Sequence, residues 1–146
     1  MIAIDTNILV YSNRSDSPWH AAAAACVKRL ADSGVPWAIG WPNLHEFLAI
    51  VTNPRIYKPP TPIADALTQV ECWLECPTLT LLAESGTYWR VLRRMVETAR
   101  ATGGAVHDAR IAALCLHHQV KELWTADRDF LRFAGLNVTN PLLDAR

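Results

Sequence analysis

Asp5, Glu46, Asp108 and Asp127 are the residues of this 146-residue chain that packing explains least well. Carboxylates offer hard oxygen ligands, and several brought together repel one another and resist ionisation unless a cation sits among them. Mg²⁺ or Mn²⁺ suits such a donor set better than zinc. Taken singly, each acid has an ordinary explanation: Asp5 and Asp127 as turn formers, Glu46 and Asp108 as helix N-terminal acids that complement the dipole. Whether they form one site depends on the elements that carry them.

Residues 2–5 are a short apolar run ending in an acid, read as a first strand that leads through Thr6 and Asn7 into a turn or helix start. Ser17 and Pro18 are expected to cap and open a helix through the alanine-rich stretch to Asp32, with Gly34 as its stop. Residues 36–41 read as a second strand. Pro42 opens a further helix with Leu44, Phe47, Leu48 and Val51 on its apolar face, ending near Asn53. After a proline-rich loop, Thr61 and Pro62 form a second cap and first-turn pair for a helix reaching about Cys76.

Residues 78–83 read as a third strand, and 87–102 and 107–118 as helices separated by Gly103 and Gly104. Residues 121–125 give a fourth strand, and 136–139 a fifth after a short helical turn through Phe133. Strands alternate with helices and no repeat is visible, which predicts an α/β fold: a mainly parallel central sheet of about five strands flanked by helices. At this length a single domain over residues 1–146 is expected.

In open parallel sheets, ligands bind beyond the carboxyl ends of the strands. Asp5 and Asp127 fall on that edge, and the helix of Glu46 starts from it. Asp108 shares a helical phase with Ile111, Ala112 and Cys115, spaced i, i+3, i+4 and i+7, so it should face inward, with Arg110 directed elsewhere. Glu46 also lies in a helix apolar on most sides, where an unpaired charge is costly. A shared divalent-metal site accounts for all four acids at once.

Fourteen basic and fourteen acidic residues cancel, so no overall field announces a polyanionic partner. Arg90, Arg93, Arg94, Arg100 and Arg110 do cluster in sequence; of these, Arg93, Arg94 and Arg100 are candidates for contact with a nucleic-acid backbone, against the plainer reading of a solvated helix face. With 51% hydrophobic residues the chain has enough apolar surface to fold. No apolar run approaches the roughly 20 residues that span a bilayer, and residues 1–12 lack a basic leader, so a soluble, cytoplasmic protein without membrane contact is expected. Cys26, Cys72, Cys76 and Cys115 lack paired ligand spacing and are read as reduced core residues. His45, beside Glu46, is read as a satisfied structural histidine.

An apolar strand running into Asp5-Thr6-Asn7, Glu46 in a hydrophobic helix, Asp108 opening a late helix, and the run Thr125-Ala126-Asp127-Arg128-Asp129-Phe130 together resemble the PIN domain, and in size the single-domain toxins of the VapC type. The resemblance covers nearly the whole chain. It implies an endoribonuclease toxin of a type II toxin–antitoxin system, using Mg²⁺ or Mn²⁺ and leaving 5′-phosphate and 3′-hydroxyl ends. It also implies a homodimer whose active site is occluded by a cognate VapB-like antitoxin. Asp5, Glu46, Asp108 and Asp127 match the family's acidic quartet, Asp129 is a possible fifth acid, and Asn7 and Thr125 match polar positions that support the site. The run Thr52-Asn53-Pro54-Arg55-Ile56-Tyr57 is similar to a segment of one subgroup, near the cleft; Trp41 or Tyr57, if exposed, offers a surface on which a base could stack.

Two other readings compete. A phosphatase of the haloacid-dehalogenase type also carries an aspartate after its first strand, but requires a second two residues later, where this chain has Asn7. A PIN-like module that binds RNA or protein without cleaving would be marked by loss of an acid, and all four are present.

Overall fold

The computed structural model describes residues 1–143. Five short strands, β1 (Ile2–Ile4), β2 (Trp37–Gly40), β3 (Leu79–Leu82), β4 (Glu122–Trp124) and β5 (Asn137–Thr139), form one sheet in the order β3-β2-β1-β4-β5. Every pairing is parallel. The connections are α1 (Thr6–Asn13) and α2 (His20–Asp32) after β1, α3 (Trp41–Val51) and α4 (Ile63–Leu74) after β2, and α5 (Tyr88–Ala99) and α6 (Ala105–His117) after β3. A 3₁₀ turn, Arg128–Arg132, joins β4 to β5. The expected α/β architecture is the one observed.

Parallel strands covered on both sides are apolar throughout, and alternate residues serve opposite layers. Ile4, Trp37, Ile39 and Trp124 join the core beneath α1 to α4. Their neighbours Ala3, Ala38 and Leu123 join the second core with α5 and α6. Alanines at Ala109, Ala112 and Ala113 are fully buried and keep α6 close to the sheet.

Chain order matters most at one place. From β1 the chain works outward through β2 to β3, then returns across the sheet to β4 beside β1. The connections on either side of this reversal leave in opposite directions, which opens a crevice at the carboxyl ends of β1 and β4. The two strands are joined in register, Ile4 with Trp124, and the Asp5 amide continues the ladder to the Trp124 carbonyl at 3.0 Å.

Several local expectations need correction. Helix α2 starts at His20, because the Ser17 hydroxyl accepts the Trp19 amide in a turn that precedes the helix. Similarly Pro62 precedes α4, which begins at Ile63. Cys72 is exposed and Cys76 only half-buried: α4 buries Ala66, Val70 and Trp73, and Cys72 falls outside that stripe. Cys26 and Cys115 are buried as expected. Among the described residues, no helix is long and apolar enough to cross a membrane.

Helix α3 carries the Glu46 position and is locked by Phe47, fully buried and edge-on to Trp73 of α4 with ring centroids 4.8 Å apart. Phe47→Ala is expected to lower stability by about 3–5 kcal/mol, measured by urea unfolding monitored through tryptophan fluorescence.

Candidate active site

Asp5 sits at the N-cap position of α1, yet its carboxylate does not cap that helix. It turns instead into a set of side-chain donors. Oδ2 accepts the Thr125 hydroxyl at 2.7 Å and the Asn7 amide at 3.0 Å, and Oδ1 accepts the Asn43 amide at 3.1 Å. The Thr6 backbone adds a further hydrogen bond that favours the charged carboxylate.

The donors are held in turn. Asn7 also donates to Thr125 Oγ1 at 2.9 Å and accepts the Ala126 amide at 3.0 Å, while Thr125 Oγ1 accepts the Asp127 amide at 3.0 Å. Asn7 and Thr125 thereby tie the end of β1 to the end of β4. Asn43 donates to Thr6 Oγ1 at 3.0 Å as well as to Asp5. No buried side-chain nitrogen or oxygen among the described residues lacks a partner.

Asn43 is a residue that sequence reasoning missed. It is 2% exposed, on the same stripe of α3 as Phe47, and a polar residue on an apolar stripe was its available signal. Its fit depends on Gly40, where a Cβ would come 2.7 Å from Asn43 Oδ1.

A cleft of about 310 Å³ opens over this network, lined by Asp5, Asn7, Glu46, Asp108 and Asp127 together with apolar and aromatic side chains. The four acids singled out in the sequence do converge. Glu46 enters from α3 in one layer and Asp108 from α6 in the other, with Asp5 between them at the end of β1. Asp127 caps the 3₁₀ turn by accepting the Asp129 amide at 2.8 Å. It is therefore a turn former and a cleft residue at once. Carboxylate oxygens of Asp108, Asp127 and Asp129 lie within 4.8 Å of one another, which brings the possible fifth acid into the tightest group.

Glu46 departs from expectation in one respect. It is exposed at the cleft rather than buried, because α3 turns Asn43, Leu44, Phe47 and Val51 to the core and leaves Glu46 on the solvent side. His45 is exposed too, its ring 6.3 Å from that of Trp41, so it is not a buried structural histidine. Arg93, Arg94 and Arg100 are exposed on or just after α5 and do not line the cleft; Arg93 pairs with Glu97 at 2.8 Å. Arg110 is directed to Glu84, also at 2.8 Å.

Burial pushes the Asp5 carboxyl up to about 6, against the pull of its hydrogen bonds, above all from Thr125, and the charges of Glu46 and Asp108 push the same way. Asp108 is also raised, first by burial and then by Asp127, Asp129 and Glu46, with Arg132 opposing. Among the described residues, none of the five acids forms a salt bridge. An all-oxygen donor set short of positive charge fits a hard divalent cation such as Mg²⁺ or Mn²⁺.

The family model of the PIN domain matches residues 2–136. Ribonuclease VapC48 of Mycobacterium tuberculosis is 31% identical over 138 residues, covering 94% of each chain. Ribonuclease VapC43 of the same organism is 33% identical over 142 residues, covering 97% of this chain and 96% of its own. Among solved structures, VapBC2 from Rickettsia felis, bound to a DNA fragment from its promoter, superposes with a TM-score of 0.69 at 19% identity, over 95% of this chain and 98% of that one.

Two outcomes follow from the Asp5 network. Because its folded pKa of about 6 exceeds the unfolded value of 3.8, the folded metal-free protein holds a proton there that the unfolded chain has released. Asp5 therefore costs no stability below pH about 4, and its cost grows as pH rises to about 6, to on the order of 3 kcal/mol. Carboxyl ¹³C NMR in EDTA should give an Asp5 midpoint near 6 that falls when Mg²⁺ is added; a midpoint near 3.8 in EDTA would refute the burial effect. Gly40→Ala should displace Asn43 and cost about 1–3 kcal/mol in thermal unfolding.

Proposed function

The chain belongs to the PIN-domain family, and from that membership we propose that it is a divalent-metal-dependent endoribonuclease that hydrolyses RNA phosphodiester bonds, acting in the cytoplasm as the toxin of a type II toxin–antitoxin pair. The observation that carries this reading is the convergence of Asp5, Glu46, Asp108 and Asp127 on one cleft, with Asp129 against two of them and no cation paired to any among the described residues. Relatives that are ribonucleases by name, alike over almost their whole length, support the RNA substrate and the toxin role. Residues 1–146 are read as a single PIN domain, working as a homodimer with a VapB-like antitoxin as its inhibitory partner.

In this mechanism Asp5 and Asp108 would hold Mg²⁺ or Mn²⁺ directly, with Glu46, Asp127 and Asp129 direct or through water. A divalent ion bound there supplies Lewis acidity, lowering the pKa of a coordinated water and offsetting charge on the phosphate. Glu46, exposed at the cleft, is placed to take the proton of the attacking water or to complete the ligand set. Asn7, Asn43 and Thr125 keep Asp5 oriented, and outer partners of this kind typically matter 10–100-fold (roughly) to metal affinity or activity. Asn7, donating to Asp5 and Thr125, cannot serve as the acid a dehalogenase-type phosphatase needs at that position.

Purified protein should cut RNA in Mg²⁺ or Mn²⁺ and stop in EDTA. Asp5→Asn and Asp108→Asn should each lower the rate by at least about 100-fold. Equal cleavage by the native protein, the EDTA-treated protein and the Asp5→Asn variant would contradict the mechanism. For the toxin role, expression of the chain alone should arrest growth, and co-expression of a short antitoxin encoded beside it should relieve the arrest.

A further inference from the structure

The cleft has side chains that metal chemistry does not use. Besides the acids it is lined by Val10 and Tyr11 of α1, Ile50 of α3 and Tyr57 from the loop after α3. The Thr52–Tyr57 segment noted in the sequence is built to hold that last ring. Asn53 accepts the Arg55 amide through its side chain at 2.9 Å, and its carbonyl accepts the amides of Ile56 and Tyr57, each at 3.0 Å. Beyond the loop, the Thr61 amide bonds the Val51 carbonyl at 2.8 Å, closing it onto the end of α3.

Tyr57 is also braced by Arg14, which does not itself line the cleft. The Arg14 guanidinium lies 4.3 Å from the ring centroid, a cation–π distance. Arg14 is itself fixed, by Asp16 at 2.9 and 2.6 Å and by Thr61 at 3.2 Å, and its side chain is only 11% exposed. With its charge answered by Asp16, Arg14 is poorly placed as a phosphate ligand and well placed as a brace. Burial raises the Tyr57 pKa, so the phenol stays neutral beside a polyanion.

We propose that Tyr57, braced by Arg14, stacks a nucleobase beside the scissile phosphate. A base inside a duplex is stacked on its neighbours and offers no face, whereas a splayed base does. A cleft of about 310 Å³ is at the small end of ligand pockets and suits one nucleotide better than paired strands. The stacking proposal rests on the nuclease reading for its substrate, but the binding test below does not depend on cleavage.

Base–aromatic stacking corresponds to about a 5- to 150-fold effect on binding. Tyr57→Ala should therefore raise KM for a short single-stranded RNA by that factor with kcat nearly unchanged, and Tyr57→Phe or Tyr57→Trp should restore it. On the same RNA with the adjacent base removed, Tyr57→Ala and native protein should be equal. A loss of equal size on the abasic RNA, or no rescue by Tyr57→Phe, would overturn the proposal. Independently, in an Asp108→Asn background the fluorescence of 2-aminopurine at that base should be quenched on binding when Tyr57 is present and not in Tyr57→Ala. Equal quenching would overturn stacking even if cleavage is confirmed; Tyr57-dependent quenching by a protein that cuts no RNA would support stacking and refute the nuclease.

Discussion

Asp5 carries a carboxylate to the end of a strand whose sheet is apolar on both faces, and the local structure is arranged around the cost of that placement. Bringing a charge to 6% exposure is expensive unless hydrogen bonds replace the lost water. Three side chains do so, from α1, α3 and the residue after β4. Each would lose an acceptor if Asp5 moved, so the acid and the network hold one another in place. The hydrogen-bonded pair of β1 and β4 provides the rigid base, and the reversal of strand order between them leaves the space above it open.

From that centre the remaining acids are disposed by the two helical layers. Glu46 comes from the layer containing α1 to α4, Asp108 from the layer containing α5 and α6, and Asp127 and Asp129 from the turn that follows β4. Each layer is fixed to the sheet by its own apolar core, so mutual repulsion among the carboxylates cannot simply spread the site apart. The pKa values of Asp5 and Asp108 are raised instead, first by burial and then by the neighbouring carboxylates. Strain of this kind at a functional site is released by the ligand the site is built to bind, in this account a hard divalent cation.

Much of this was legible in residue order. Asp5 followed from an apolar run that ends in an acid and Asp127 from its place just after the fourth strand, because in a parallel sheet the strands all end at the same edge. Asp108 followed from helical phase, and its half-buried position agrees. The same reasoning misplaced Glu46 as buried: α3 is apolar on so much of its surface that composition could not say which side meets solvent. Asn43 was hidden by its context, since an asparagine after proline reads as helix-start chemistry until Asp5 is seen beside it. Asp129 depended on the direction of one short turn, set when Asp127 accepts its amide. Cys72 was misjudged because one stripe of α4 meets the core and the rest does not.

The central claim is that the acids at the crevice form a divalent-metal site, and anomalous scattering from crystals soaked in millimolar Mn²⁺ tests it most directly. The account predicts a manganese peak in the cleft, ligated by Asp5 and Asp108 with Asp127 or Asp129 close by, and its loss in Asp108→Asn crystals. Absence of any peak in the cleft at that concentration, or a peak ligated elsewhere on the protein, would contradict it.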